Sequence, residues 1–349
     1  MREIGRTVTE WLDAGHRVAV ARVVDVHGFG AVPVGEVLAV RDDGARVGEL
    51  LHGVADPVIS GAVPAALSGE PSVVRAPVSE SDAVAAGLAC AGSARVLVHA
   101  AAEPSVWAAL AAGTPVALVT SLTSGESAVV PSPGPGRSGS PGSAGPGSRS
   151  SGLSEPSGSP GGGGFVGGAE GVSAAVGEAA RLLATGATSR AVVDDVLVDA
   201  WVPTPTVVTV GGGVLASALA AQASLLGWSA RDVSSVADAV AAVSAFGPAD
   251  VLVLLNHDPA MDEVLRIGLA HGRGFLGALG SRRTQAARRE RLRAAGVPDE
   301  DLARIHGPVG LDLGARSPAE TAVSIVAEVL ATRSGRAGTA LRATDVAIH

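Results

Sequence analysis

The sequence contains no lysine; all 26 basic residues are arginine. This excludes a P-loop lysine, a Schiff-base lysine and pyridoxal-phosphate chemistry, each of which needs an ε-amine. Cysteine is nearly absent. Cys90 stands alone, so the chain has no intrachain disulfide and no cysteine cluster for zinc or iron–sulfur. Flanked by small apolar residues, Cys90 is expected to be buried and inert. Positive charge is in deficit: the net charge of −8 argues against a nucleic-acid partner. The polar N-terminus carries no signal-peptide pattern. Charge is missing altogether from Thr206 to Ala230, but Gly211-Gly212-Gly213, Gln222 and serines break that run. It therefore reads as part of a folded domain rather than a membrane span. The expected location is the cytoplasm, with no membrane partner.

At 349 residues the chain has room for two cored domains. Residues 1–122 read as an N-terminal α/β domain, with valine-rich strands at 17–26 and 35–41, further strands at 95–100 and 115–120, and short helices between. Residues 123–170 are rich in Ser, Gly and Pro. Such a segment buries too little apolar surface to offset its chain entropy, so it reads as a flexible linker or a long loop inserted between strands. From 171 to 203 a helical stripe (Val172, Ala175, Val176, Ala179, Leu183) and one or two strands lead toward the second domain. From 204 to 333 strands and helices alternate, which predicts a Rossmann-type parallel sheet. Residues 334–349 read as a tail. The fold class is thus α/β throughout.

Candidate site residues lie at the turns of that second domain. Gly211-x-Gly213-x-x-Ala216 follows a strand and opens a helix, as in a dinucleotide turn: the first glycine allows the bend and the second lets a pyrophosphate approach the backbone. The acidic residue such sites use for a ribose is not in its place by spacing. Ser234 stands there, with Asp232 two residues earlier. Asn256-His257-Asp258 follows the next strand, where ligands gather in open α/β sheets; Asp258-Pro259 equally reads as a helix cap. Gly280-Ser281 ends a third strand and leads into Arg282 and Arg283. The free backbone N–H groups of that helix start and the two guanidinium forks suit a phosphate or carboxylate. The rest of the arginine run, to Arg293, reads mostly as a solvated helix face. Next come Gly307, Gly310 and Asp312 in His306-Gly307-Pro308-Val309-Gly310-Leu311-Asp312-Leu313-Gly314, a turn where backbone passes close to something. Ser317-Pro318-Ala319-Glu320 is a capping box opening the last helix. No nucleophile with a base, no proton-transfer pair and no metal-ligand set is visible, so no catalytic residue is assigned.

The order LGSRR, then Pro-Asp-Glu, then HGPVGLDLGARSPAETAVSIVAEVL closely resembles the C-terminal half of the XdhC/CoxI family. That family is associated with maturation of molybdenum hydroxylases such as xanthine dehydrogenase and CO dehydrogenase. The resemblance implies an accessory protein that transiently binds molybdenum cofactor (molybdopterin) and delivers it to a molybdenum hydroxylase client. A cysteine desulfurase and a second copy in a homodimer are the further partners it implies. The N-terminal half departs from the family pattern. Phe29, Gly30, Ala31 and Val32 stand where the family has Ser-x-Pro-Arg, and His52-Gly53-Val54 where it has Gly-Gly-Cys; a second cysteine position is kept as Cys90. Two other readings stay open at this point: an NAD(P)-dependent oxidoreductase, and a degenerate member acting only through protein contacts. His16, His27 and His99 show no partner pattern and are expected to be structural or exposed.

Overall fold

The computed structural model describes residues 1–29, 33–132, 169–271 and 274–344. The first assembly is built on two antiparallel sheets. One has five strands in the order β3-β2-β1-β5-β4, from β1 (Val18–Gly28), β2 (Val37–Arg41), β3 (Arg46–Gly48), β4 (Ser72–Val78) and β5 (Gly92–Ala100). The other has the order β7-β6-β9-β8, from β6 (Val116–Ser121), β7 (Ser127–Pro131), β8 (Ser189–Val193) and β9 (Val196–Trp201). Helices α1 (Arg2–Asp13), α2 (Asp56–Leu67), α3 (Glu80–Ala85), α4 (Pro104–Ala112) and α5 (Ala169–Ala184) complete it.

Strand periodicity explains the layering. Side chains on a strand alternate between faces. On β1, Ala19, Ala21 and Val23 join the core under α2 with Ile59, Ala62 and Ala66, while Val18 and Val20 turn to the other face and pack with Trp107, Val116, Leu118 and Trp201. On β9, Val196, Val198 and Ala200 pack against Ala175, Ala179 and Leu183 of α5. Both sheets are covered on both faces, in the order helix, sheet, sheet, helix. The strands therefore read as continuous valine runs rather than alternating ones.

Two expectations change here. Strand β7 falls inside the stretch assigned to the linker. Strands β8 and β9 complete the sheet begun by β6 and β7, so 189–201 lies with the first assembly instead of leading into the second. Composition does not say which sheet a strand joins. The low-complexity residues 133–168 lie outside the described residues.

A charged cluster is sealed between the two sheets. Arg22, on the inter-sheet face of β1, has no solvent exposure, and neither has Asp199 of β9. Arg22 Nη1 donates to Asp199 Oδ2 at 2.9 Å, and Arg22 Nη2 donates to Thr120 Oγ1 at 2.5 Å and His99 Nε2 at 3.1 Å. Arg190 Nε donates to Asp199 Oδ1 at 2.7 Å. Because arginine only donates, His99 Nε2 is the acceptor and the neutral ring carries its proton on Nδ1. Burial first, then the Arg22 charge, holds the His99 pKa well below its ordinary 6.5. The unfolded chain therefore takes up a proton near that pH that the folded chain refuses. Stability is full above about pH 6.5 and falls as pH drops below it, with a limiting slope of about 1.4 kcal/mol per unit. Denaturant titrations from pH 7 to 5 should show this decline, and His99→Gln should flatten it. An unchanged slope in the variant would refute the assignment.

The second assembly holds a parallel sheet in the order β11-β10-β12-β13-β14, from β10 (Thr206–Val210), β11 (Ser229–Val233), β12 (Val251–Leu254), β13 (Phe275–Ala278) and β14 (Ile305–His306). This matches the expected parallel sheet. Helices α6 (Gly213–Leu225) and α11 (Pro318–Ser334) cover one face; α7 (Val236–Ser244), α8 (Asp262–His271), α9 (Arg282–Ala294) and α10 (Asp299–Leu302) belong to the other side. β10 has Val208 and Val210 in one core and Val207 in the other. The chain passes from β10 outward to β11, then crosses back to β12. That reversal opens a crevice beyond the carboxyl ends of β10 and β12.

Candidate functional site

The carboxyl edge of this sheet gathers most of the candidate residues. Gly211 has φ +125°, a region closed to most side chains, and a Cβ there would lie 3.3 Å from Asn256 N. The glycine turn of β10 is thus seated against the loop that follows β12. That loop reaches the next turn in the same way: Gly280 has φ +133°, and a Cβ on it would lie 3.2 Å from His257 Cε1. Ala216 is buried on α6, where the fingerprint needs a small residue for helix–sheet packing. Asp258 Oδ1 accepts from Ala260 N at 2.9 Å and so caps the turn Pro259–Met261; His257 is exposed.

Ser281 caps α9, its Oγ accepting from Thr284 N at 3.2 Å. Arg282 and Arg283 are exposed at the first turn, and among the described residues neither is held in an ion pair or hydrogen bond. Their forks are free for an incoming anion. The turn after β14 is fixed differently. Glu328 of α11 accepts from Gly310 N at 2.6 Å and meets His306 Nδ1 at 2.8 Å, with His306 stacked on Phe275. Burial raises the Glu328 pKa, but these two hydrogen bonds outweigh it and hold the carboxyl below its ordinary range. Gly307 lies against Gln285, whose Oε1 would be 2.6 Å from a Cβ there. Asp312 is exposed on the loop to α11, and no hydrogen bond or ion pair joins it to the other candidates.

Sequence spacing misplaced one feature and missed two. Asp232, near the end of β11, reaches the glycine turn: its Oδ1 accepts from Thr209 Oγ1 at 2.6 Å and from Gly212 N at 3.3 Å. A carboxylate does stand beside the turn, two positions before the place spacing gave it. Second, Arg288 is not part of a solvated face. It is buried, its Nε on Asp262 Oδ1 at 3.1 Å, Nη1 on Gln285 Oε1 at 3.1 Å and Nη2 on the Asn256 carbonyl at 3.4 Å. Third, Gln285 is buried and its Nε2 donates to the carbonyls of Ala278 and Leu279, each at 3.0 Å. A glutamine three residues before an arginine on one helical face was the available signal.

Residues 207–329 match the XdhC Rossmann domain, and residues 11–76 match the XdhC and CoxI family. The chain belongs to the XdhC/CoxI family. This family comprises accessory proteins linked to molybdenum hydroxylase maturation. The chain is also 37% identical over 90 residues to a protein of Escherichia coli (strain K12) named Uncharacterized protein YqeB, a match covering 25% of this chain and 16% of that one. A solved structure from Bacillus halodurans, described as a xanthine dehydrogenase, superposes with a TM-score of 0.52 at 20% identity, over 97% of this chain and 98% of that chain. At that identity the likeness concerns the fold.

The first assembly of this XdhC/CoxI member holds the remaining positions singled out in the sequence. Phe29 is fully buried in the core with φ +62°, and its N–H donates to Ala91 O at 3.3 Å, beside Cys90. The turn at Phe29 therefore lies beside the loop that carries Cys90. Residues 30–32 lie outside the described residues. Val54 packs against the apolar core, and His52 sits in a tight turn with φ +54°. Cys90 is exposed, contrary to the expectation of burial, because it falls in a loop between α3 and β5 instead of on a packed element. Among the described residues no group of three or more His, Cys, Asp or Glu side chains is placed to hold a metal ion, and no helix is long and apolar enough to cross a membrane.

Proposed function

We propose that this protein binds molybdenum cofactor at the carboxyl edge of its parallel sheet and hands it to a molybdenum hydroxylase. The observation that supports the reading is that the glycine turn of β10 and the free Arg282–Arg283 pair at the start of α9 lie on one edge, and both suit an anion. Such a pair of devices suits a pterin bearing a phosphate or dinucleotide tail. In this role Arg282 and Arg283 would hold the tail, and His257, between them and the glycine turn, would meet the body of the cargo. With valine at position 54, the first assembly cannot supply a thiolate there for sulfur transfer or ligation.

A second reading rests on Asp232. Its carboxylate beside the glycine turn suits the ribose of a nicotinamide dinucleotide, so the crevice would take NAD(P) in its own right. Anaerobic equilibrium dialysis of the full chain against released molybdenum cofactor, and separately against NAD, distinguishes the two. Retention of pterin without NAD supports delivery; retention of NAD without pterin overturns it.

Replacing Arg282 or Arg283 by alanine should weaken binding of the cofactor by about 1–3 kcal/mol each if the contacts are charge-assisted. Calorimetric titration reads this directly. Affinity unchanged in both variants would remove α9 from the site.

A further inference from the structure

The opposite edge of the parallel sheet carries a cavity that the proposed delivery role does not use. It lies where the amino ends of β10 and β11 meet the first assembly and has a volume of about 690 Å³. That is within the range of small-molecule sites. Residues from both assemblies line it: Arg2 and an edge of the buried Trp201 from the first, Trp228, Leu226, Leu330 and Arg333 from the second. Leu226 and Leu330 remain 41% and 44% exposed, so part of the apolar surface facing this space is uncovered.

The charge in the cavity is as distinctive as its apolar wall. Arg333 lies over the Trp228 ring, 5.0 Å from its centroid, and donates through Nη2 to the carbonyl of Gly186. Its Nε is buried and has no acceptor. Burial pulls the Arg333 pKa below its ordinary value, with Asp250 opposing. Arg2 lies over Gly113 at the rim, and among the described residues no acceptor engages it. Among the described residues, Glu3 is the one carboxylate lining the space. Two guanidinium groups with unused donors thus stand beside the partly open Trp228 ring and two uncovered leucines. An anion would complete the donors, and a flat apolar body would cover the leucines and lie beside the Trp228 indole.

We propose that this cavity binds a small organic anion with an aromatic body, held between the two assemblies by Arg333 and Arg2. The ligand would tie the first assembly to the amino edge of the parallel sheet, away from the glycine turn.

The test uses the full chain and two probes sharing one ring system: 8-anilinonaphthalene-1-sulfonate, which is anionic, and N-phenyl-1-naphthylamine, which is neutral. The anionic probe should bind one per chain and quench tryptophan fluorescence. Arg333→Gln should lower its affinity about 10-fold or more while changing that of the neutral probe less than about twofold. Arg2→Gln, at the exposed rim, should act in the same direction and serves if the first variant does not fold by circular dichroism. Equal losses for both probes would show an apolar surface only and overturn the anion assignment. Anionic binding that neither substitution affects would place the probe elsewhere and overturn the site.

Discussion

Asp199→Ala should lower the unfolding free energy of the chain by about 3–5 kcal/mol, among the largest effects of any single substitution in it. The reason lies in what is left behind. Arg22 has no solvent exposure, and burial already pulls its pKa below the ordinary guanidinium value, Asp199 opposing. Removing the carboxylate leaves a sealed cation with only neutral acceptors, Thr120 and His99. Arg190, 12% exposed, loses the same partner but can reach water. The cost should therefore come mainly from Arg22. The double variant Arg22→Met with Asp199→Leu removes both charges and refills the space, and should recover most of the loss. Urea denaturation of the three chains checks this. A single variant within about 1 kcal/mol of the parent would mean that the cluster is not sealed.

How far the sequence carried can be judged from these residues. The parallel sheet was legible because β10, β12 and β13 are short apolar runs closed by glycine or asparagine, and α7, α9 and α11 begin with the caps Ser235, Ser281 and Ser317. The turns of the site were legible for the same reason: they are where such strands end. The Arg22–Asp199 pair was not. Its members are 177 positions apart, and each is one polar residue within a valine-rich strand. Nothing local separates an arginine that leaves the sheet for solvent from one that faces a second sheet. The pairing of β6 with β9 was hidden in the same way, since the intervening low-complexity stretch reads as a boundary. Cys90 and Arg288 were misjudged for a converse reason. Their neighbours suggested burial for the first and solvent for the second, whereas the loop before β5 and the carboxylate of Asp262 decided otherwise.

Asp262→Ala should likewise cost about 3–5 kcal/mol, and it should reach the candidate site as well. Asp262 joins α8 to α9 by accepting from Arg288 at 3.1 Å and Arg291 at 2.6 Å. Only Arg288 is buried; Arg291 is 39% exposed and its pair is worth little by comparison. Arg291→Ala should therefore cost under about 1 kcal/mol. Beyond Asp262, Arg288 also donates to the Asn256 carbonyl and to Gln285. Gln285 in turn holds the carbonyls that end β13 and packs against Gly307. One salt bridge thus anchors three of the turns that frame the crevice. Loss of Asp262 should loosen the Asn256–Asp258 loop and the Gly280 turn while the glycine turn of β10, held by Asp232, stays in place. Hydrogen exchange on the folded variant checks the pattern: faster exchange at 255–258 and 279–281, with 211–213 unchanged. Protection unchanged in all three turns, in a variant that has lost the expected stability, would mean that Arg288 supports only the core and not the site.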